Sequence, residues 1–442
     1  MRRGWAALIV VAASLVVASS ANAAPIFQEN GHPPVSVEEM ANQYAAQYHD
    51  SHADALRRME IDQRAIGLEE ELSASLGRDY GGMWLDPATG DVRVGILSTS
   101  DDSAATAVLS KHGLAPTDAL VRVKASLADL EAAQYSMATD LRPAMDEGVS
   151  SIRIDVPRNR VITVLSPHAT ARVKQLVSEQ ATAFAAGRDA YGPPLPPVDP
   201  TPYTSSQGST APQPARRVVA DIATETGPDE PARAESCGSE TCSLPLRAGV
   251  RIEAEQAACS AGFVSTWWSG KETIFFIMDA GHCIAFEGSS RYWYSKPYPS
   301  SNAQPIGQHW SWRFGNCCGE PSWQNGKTEF DASIIEMGYA YYWTDVLAPG
   351  PLWMHGWPTG SEWEINREAR PYVGEYGCRS GFRTVYTCGH VAADDAVVTL
   401  EAPGGSGKFV TVYNELEVNG PCTNEGDSGG PFVDGGTALG VL

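Results

Sequence analysis

The N-terminal part of the chain alternates helical and strand-like hydrophobic patterns. Apolar side chains recur at helical spacing over residues 61–76. These positions are Ile61, Ala65, Leu68, Leu72 and Leu76. Residues 84–94 then carry two short apolar runs around a turn that contains proline and glycine, which predicts a hairpin.

The same order of patterns repeats downstream. Leu127, Leu130 and Met137 predict a helix, residues 152–164 predict two strands joined by a turn, and residues 169–186 predict a further helix. Since these residues lie in a stretch without cysteine, we predict a separate α+β unit over residues 25–190.

The segments on either side of this unit have different compositions. Residues 1–23 combine two arginines, an apolar run and an Ala-Asn-Ala site, which predicts a secretory signal peptide and hence export. The alternative is an N-terminal membrane anchor, which the short apolar run disfavours. Residues 191–236 are rich in proline and then in Ser, Thr, Ala and Glu, so we predict an extended linker open to proteolytic nicking.

The clearest chemical signal is Gly-Asp-Ser-Gly-Gly-Pro at residues 426–431. The glycines permit a tight turn that a substrate carbonyl can approach, and Ser428 supplies a hydroxyl. A serine needs a base to take its proton and donors for the oxyanion that its attack creates. On its own the hexapeptide would also suit an ordinary glycine-rich turn.

A candidate base and a candidate orienting acid precede this serine. His282 follows a short apolar strand at residues 275–278, and imidazole titrates near neutral pH, as a general base must. Asp331 stands where a loop enters an apolar strand, a place from which a buried carboxylate can orient an imidazole. The weaker alternatives for the acid are Asp345, Asp394 and Asp395.

The order His282, Asp331, Ser428 and the motifs around these residues resemble the chymotrypsin-like serine proteases, in particular the bacterial streptogrisin and alpha-lytic protease branch. The similarity spans about residues 247–442. It implies an all-β protease domain of two antiparallel six-stranded β-barrels, over residues 237–442, in which Ser428 attacks, His282 relays the proton and Asp331 holds the imidazole.

The resemblance also implies supporting contacts. The backbone N–H groups of Gly426 and Ser428 would form the oxyanion hole, and Arg379 would pair with Asp427 to fix the nucleophile turn. The implied disulfides are Cys259–Cys283 and Cys378–Cys388, with Cys422 joined to a partner beyond Leu442. The alternative for Arg379 is a solvated surface cation.

The remaining composition narrows the class of protein. The nine cysteines all lie at or after Cys237, and their spacing lacks the paired pattern of a structural zinc site, so we expect disulfides, no metal and no cofactor. The pairing of Cys237, Cys242, Cys317 and Cys318 stays open. A net charge of -21 disfavours a nucleic-acid partner.

The α+β unit over residues 25–190 resembles the pro-region of alpha-lytic and streptogrisin precursors, notably at residues 81–86 and 154–161. The implied role is an intramolecular chaperone and inhibitor of the protease domain, which suits a slowly folding β-barrel. The alternative is an independent binding or adhesion module.

Two features depart from the family pattern. Asp279 stands where relatives have threonine or serine, and the extra carboxylate is expected to raise the pKa of His282. Only eleven residues follow Pro431, so we expect the second barrel to be truncated and the sequence to be a fragment.

The sequence as a whole predicts a secreted, monomeric serine endopeptidase made as a pro-enzyme, whose partners are a peptide substrate and its own pro-region. The alternatives are a catalytically inactive protease homologue and an aromatic-rich binding protein. The tryptophans of residues 291–363 suit the second alternative, although most aromatic side chains in a barrel serve as core or loop anchors.

Overall fold

The computed structural model describes residues 37–86, 89–185, 221–226, 248–269, 273–285, 291–294, 305–315, 318–319, 330–337, 353–355, 362–365, 367–401, 409–420, 423–424 and 426–442. These residues group into two compact units. Unit 1 comprises the described residues of Gly67–Asp229 and Asp395–Thr399. Unit 2 comprises those of Ala18–Ile66, Glu230–Asp394 and Leu400–Leu442. The predicted signal peptide, most of the predicted linker and Cys237, Cys242, Cys317 and Cys422 lie outside the described residues.

The helices are α1 (Val37–Tyr48), α2 (His52–Ala65), α3 (Leu68–Leu76), α4 (Ser103–Lys111), α5 (Pro116–Ala119), α6 (Leu127–Leu141), α7 (Ala171–Ala185) and α8 (Gly281–Ala285). The strands up to residue 300 are β1 (Tyr80–Leu85), β2 (Val92–Leu97), β3 (Leu120–Val123), β4 (Val149–Asp155), β5 (Arg160–Leu165), β6 (Asp221–Thr226), β7 (Arg251–Glu253), β8 (Ala258–Ser260), β9 (Val264–Trp268), β10 (Thr273–Asp279) and β11 (Tyr292–Tyr294). The later strands are β12 (Pro305–Phe314), β13 (Cys318–Gly319), β14 (Asp331–Met337), β15 (Trp353–His355), β16 (Glu362–Glu364), β17 (Arg367–Glu368), β18 (Tyr376–Gly381), β19 (Val385–Glu401), β20 (Phe409–Asn419), β21 (Pro431–Asp434) and β22 (Thr437–Val441). None of the helices in the described part of the chain has the length and apolar character needed to cross a membrane.

Unit 1 is the α+β region that the hydrophobic pattern predicts. Strands β1 and β2 form an antiparallel hairpin, and β3 pairs parallel with β2. Strands β4 and β5 form a second hairpin, which confirms both predicted hairpins, and β6 pairs parallel with β5. Because β6 lies within residues 191–236, the segment predicted as a linker contains a strand. Val397 and Val398 of β19 are grouped with this unit and pair with β4.

The helical spacing over residues 61–76 is divided between two helices. Helix α2 stops at Ala65, because Ile66 has ψ 126 and Gly67 takes a left-handed φ of 74. Glycine adopts that conformation without the steric cost that a Cβ brings. Helix α3 begins at Leu68, so the apolar positions of the pattern divide between two helices and between the two units.

Unit 2 contains a curled, half-barrel sheet built mainly from antiparallel strands. Its order is β8-β7-β11-β12-β14-β10-β9, with β13 added on β12. Trp293, Ile277 and Ile335 are fully buried at its centre, next to the disulfide Cys259–Cys283. This core holds β10 beside β14, the two strands whose ends carry the candidate base and acid.

The rest of unit 2 has a second set of strands. Residues of β17, β22, β21, β18 and β19 lie side by side in that order, and β20 pairs with β19. Cys378 and Cys388 face each other across β18 and β19 and form the second disulfide. The structure therefore shows a β-rich region, while the finer prediction of two six-stranded barrels goes beyond the described strands.

Helices α1 and α2 belong to unit 2, although the sequence places them in the unit of residues 25–190. Their buried side chains Met40, Tyr44 and Met59 pack on Tyr376 and on the Cys378–Cys388 disulfide. An amphipathic helix pair gains most of its stability from such a buried face. The two compact units thus separate at Gly67 along this part of the chain.

Candidate active site

The candidate base and acid are in direct contact. Asp331, the first residue of β14, accepts the peptide N–H of His282 on Oδ1 at 2.7 Å, and its Oδ2 lies 2.5 Å from Nδ1 of the same histidine. The carboxylate is nearly buried, with 7% of its side chain exposed, whereas 22% of the imidazole side chain is exposed. Two bonds from one carboxylate fix the ring orientation and the tautomer.

The motif around His282 explains this geometry. A Cβ at Gly281 would collide with the carbonyl oxygen of Arg313 on β12, so the glycine lets α8 sit directly on the sheet. Phe314, beside Arg313, pairs with Asp331 across β12 and β14, and its ring lies 5.8 Å from the imidazole. The base and the acid are therefore positioned by the same strand pair.

Two opposing effects act on the pKa of His282. Burial lowers it, whereas the charge of Asp331 and the hydrogen bond from the imidazole to that carboxylate raise it. The net pKa lies above the ordinary value of 6.5. The pair thus favours the imidazolium form that a general base passes through after taking a proton.

The candidate nucleophile lies in a tight turn. Gly426 and Gly429 have φ angles of 104 and 82, and Ser428 is half-buried between neighbours that are buried. The N–H of Asp427 donates to Asn424 O at 2.9 Å, and the N–H of Gly430 donates to Asp427 O at 3.0 Å. The left-handed glycines are what allow this turn to close.

The N–H groups of the turn fall into two sets. Those of Asp427, Gly429 and Gly430 donate to carbonyls of the protein. Those of Gly426 and Ser428 have no acceptor among the described residues. This is the pair that an oxyanion hole needs, since a donor already engaged cannot meet a developing charge.

The predicted Arg379–Asp427 ion pair is replaced by other contacts. The described residues that donate to the Asp427 carboxylate are Asn424, Arg383 and Thr384, through three backbone N–H groups and the Thr384 hydroxyl, at 2.7 to 3.0 Å. Arg379 Nε instead donates to Thr387 Oγ1 at 2.6 Å. Backbone donors from the neighbouring turn thus satisfy the buried carboxylate in place of the side chain expected from sequence.

The nucleophile turn packs against the strand that leads to His282. A Cβ built on Gly429 would collide with Asp279 Oδ1 and would lie 2.5 Å from Ser260 O. Asp279 is the last residue of β10, three positions before His282. Gly429 is therefore required where the turn contacts the end of β10, three residues before His282.

Asp279 does not act on His282 as the sequence suggests. Its side chain is fully buried, Oδ1 accepts the Ala280 N–H at 2.8 Å, and Oδ2 has no partner among the described residues. Burial raises the pKa of Asp279 well above its ordinary value, and the charge of Asp331 raises it further. The carboxyl is thus favoured as a neutral acid, and the pKa of His282 responds to burial and to Asp331.

A second acid lies beside Asp331. Burial raises the pKa of Glu415 on β20 well above its ordinary value, and the charge of Asp331 adds to this, although the Asp331 N–H donates to the Glu415 carboxyl. The pattern of apolar residues in β20 gives no signal for this contact. Only the tertiary contact between β14 and β20 reveals it.

The other residues considered from sequence have different surroundings. Asp394 accepts from Arg370 Nη2 at 3.1 Å, and Asp345 lies outside the described residues. His390 packs among Tyr44, Tyr48 and Tyr376, with its Nδ1 2.9 Å from Gly374 O. Asp279 also lies close to the sulfur atoms of Cys259 and Cys283, but the disulfide between them leaves no thiolate to bind a metal.

Residues 53–116 match the family model described as "Alpha-lytic protease pro N-terminal". This segment is therefore similar to the N-terminal part of alpha-lytic protease pro-regions. Part of this match is helix α2, and the remainder covers α3, β1, β2 and α4.

The pro-region precedes a part of the chain with distant structural similarity to chymotrypsin-like serine proteases. One similar structure is a glutamic acid-specific serine protease described as using a histidine triad in substrate binding, with 26% identity and a TM-score of 0.33 over 44% of this chain and 83% of that chain. Others are Thermobifida fusca Protease A, with 20% identity and a TM-score of 0.28 over 44% and 81%, and a Cellulomonas bogoriensis chymotrypsin, with 21% identity and a TM-score of 0.29 over 44% and 80%. No curated protein matches this chain by sequence.

Proposed function

We propose that this protein is the precursor of a secreted serine endopeptidase. Ser428 is the nucleophile, His282 the general base and Asp331 the residue that orients the imidazole. The main observation behind the proposal is that the Asp331 carboxylate contacts His282 twice, at its backbone N–H and at Nδ1 of its ring. The turn around Ser428, whose Gly426 and Ser428 N–H groups lack an acceptor among the described residues, supports it.

In the proposed reaction His282 Nε2 takes the Ser428 proton as the hydroxyl oxygen attacks a peptide carbonyl. The imidazolium faces Asp331, which stabilises it without accepting the proton. The N–H groups of Gly426 and Ser428 donate to the oxyanion. His282 then protonates the leaving amine, and water hydrolyses the acyl-enzyme by the same path in reverse.

Two further assignments follow from the proposal. The pro-region acts as a folding chaperone and inhibitor of the protease region, as the family match at residues 53–116 suggests. Export is supported by the signal-like residues 1–23 and by the two disulfides, since such bonds persist in oxidising compartments.

Labelling with a fluorophosphonate tests the proposed nucleophile. The folded full-length chain should label at one serine, and Ser428→Ala should abolish the signal because Ser428 is the proposed nucleophile. A folded chain that does not label would instead indicate an inactive homologue. A chain that labels equally after Ser428→Ala would place the nucleophile elsewhere.

The pH dependence tests the base. His282 must be neutral to accept a proton, and its pKa is raised, so kcat/KM should fall as the pH drops through a midpoint above 6.5. Asp331→Asn should lower kcat on the order of 10⁴-fold, because the imidazole loses the partner that fixes its tautomer. A midpoint at or below 6.5 in a peptide-substrate assay would contradict the role given to Asp331.

A further inference from the structure

Ser260 makes an unusual set of contacts for a residue with no assigned role. It is the last residue of β8, its side chain is completely buried, and it follows Cys259 directly. Cys259 is joined by a disulfide to Cys283, the neighbour of His282. Ser260 thus lies one residue from a covalent link to the segment that carries the candidate base.

The other contacts of Ser260 reach the nucleophile turn. Its backbone N–H donates to Ser428 O at 2.8 Å, and its hydroxyl donates to Gly426 O at 2.9 Å. The same hydroxyl accepts the N–H of Phe382 at 2.9 Å. One serine therefore bonds the carbonyls of both residues whose N–H groups have no acceptor among the described residues.

Packing around the turn strengthens this arrangement. Phe382 lies against Gly426, where a Cβ would meet the ring at 2.5 Å, and Arg251 and Arg383 each stack on that ring at 4.9 Å. The carbonyl of Ser260 contacts Gly429 on the other side of the nucleophile. The Ser260 hydroxyl thus links Gly426 of the turn to Phe382, which directly precedes the residues whose N–H groups donate to Asp427.

We propose that Ser260 is a positioning residue that sets the Gly426 and Ser428 N–H groups relative to His282. The inference rests on the proposed protease function. A carbonyl held in place fixes the peptide planes of the turn, and the orientation of the adjoining N–H groups depends on those planes. Because an oxyanion hole works only when its donors are aimed in advance, Ser260 contributes to the rate without touching the substrate.

Three variants of the full-length chain test the role. Ser260→Ala removes the hydroxyl but keeps the backbone bond to Ser428, and Ser260→Thr restores a hydroxyl. Ser311→Ala is the matched control, since Ser311 is also a buried serine of unit 2 and lies on β12. We expect Ser260→Ala to lower kcat by about 10- to 100-fold with KM within about threefold, because a misplaced donor affects the transition state most.

Ser260→Ala should also bind a peptide boronic acid about 10- to 100-fold more weakly, because that compound forms a tetrahedral adduct with the nucleophile. Ser260→Thr should recover kcat to within about fivefold of the original chain, and Ser311→Ala should leave kcat unchanged. Recovery of kcat in Ser260→Thr would show that Ser260→Ala is slow because it lacks the positioning hydroxyl, and not because of a cavity left by the smaller side chain. The inference is overturned if Ser260→Ala keeps kcat within about threefold of the original chain or changes only KM. It is also overturned if Ser311→Ala lowers kcat as much as Ser260→Ala does.

Amide hydrogen exchange provides a readout that does not need activity. In Ser260→Ala the amides of residues 426–430 should exchange faster, while those of β12 and β14 keep their protection. Unchanged exchange in the turn would overturn the proposal even if the variant were inactive. Failure of the unmodified chain to label with a fluorophosphonate would count against the protease function instead, so the two failures can be told apart.

Discussion

At the scale of single residues, two buried acids, Asp279 and Glu415, interact with Asp331, the acid that bonds His282. Asp331 contacts both the N–H and the ring of His282. The pKa values of Asp279 and Glu415 are raised by burial and by the Asp331 charge, which favours their neutral forms. Keeping neighbouring carboxyls neutral avoids the repulsion that would follow if all three ionised.

Asp279 makes the stability of the fold depend on pH. Its folded-state pKa is raised, so its contribution is present below the ordinary Asp value of 3.8 and is lost as the pH rises through the folded value. In Asp279→Asn the free energy of unfolding should fall less as the pH rises, because the amide is neutral at every pH. Urea unfolding at several pH values measures the effect.

The same variant separates two roles of Asp279. Because the pKa of His282 is set by burial and Asp331, the acid limb of kcat/KM should keep its midpoint in Asp279→Asn. A shift of that midpoint by a full unit would show that Asp279 carries charge beside the base. An unchanged stability profile would show that its carboxyl already ionises freely.

At the scale of elements, helix α2 attaches to the second set of strands through buried polar groups as well as apolar ones. Asp62 accepts the Tyr372 hydroxyl on Oδ1 and the Tyr376 N–H on Oδ2 at 3.1 Å. The neighbouring Gln63 donates to both oxygens of Asp434, at 3.0 and 3.1 Å. Burial raises the pKa of Asp62 to about 7 and also raises that of Asp434.

The attachment of α2 should therefore weaken as the pH rises. The Asp62 contribution is complete below pH 3.8 and is lost by about pH 7, since the folded state holds the proton more tightly than the unfolded state. The other titratable or charged groups facing this contact are Asp434, Tyr372, Glu375 and Arg367. In Asp62→Asn the attachment of α2 should change less with pH between 3.8 and about 7. Amide hydrogen exchange in α2 measures this attachment.

Glu60→Gln is the matched control, because Glu60 is an exposed acid on the same helix. It should leave the pH dependence of exchange in α2 intact. Equal exchange in α2 at pH 4 and pH 7 in the original chain would contradict the assignment to Asp62.

At the scale of the whole molecule, the pro-region match and the structural units divide the chain differently. The match begins at residue 53 and includes α2, which packs with the protease-like strands of unit 2. A β-rich region with many pairings between distant residues folds slowly, so a template that packs on it speeds the search.

Refolding in trans tests the chaperone role of the pro-region. Residues 237–442 alone should refold slowly, and residues 25–190 added as a separate chain should raise the yield of fluorophosphonate-reactive protein. Residues 67–190 should help less, because they lack the α1–α2 face that buries Tyr376 and the Cys378–Cys388 disulfide. Rapid refolding of residues 237–442 without any addition would contradict the role.

Much of the local structure and chemistry could be predicted from sequence. The two pro-region hairpins follow from short apolar runs around turns, and the structure contains both disulfides that the family resemblance implies. The candidate base and acid also come together as their motifs suggest. The hairpins depend on neighbours in the chain, which a sequence pattern records directly, whereas the disulfides and the contact between His282 and Asp331 follow from the family resemblance.

Other features depend on which distant backbone groups meet, and only the tertiary structure decides them. The sequence by itself determined the type and order of His282, Asp331 and Ser428. The fold decided that Asp427 is satisfied by backbone donors instead of Arg379, and that Asp279 lies where burial favours a neutral acid. It also brought Ser260 to Gly426 across 166 residues, because hydrogen bonding and desolvation follow spatial contact and not sequence spacing.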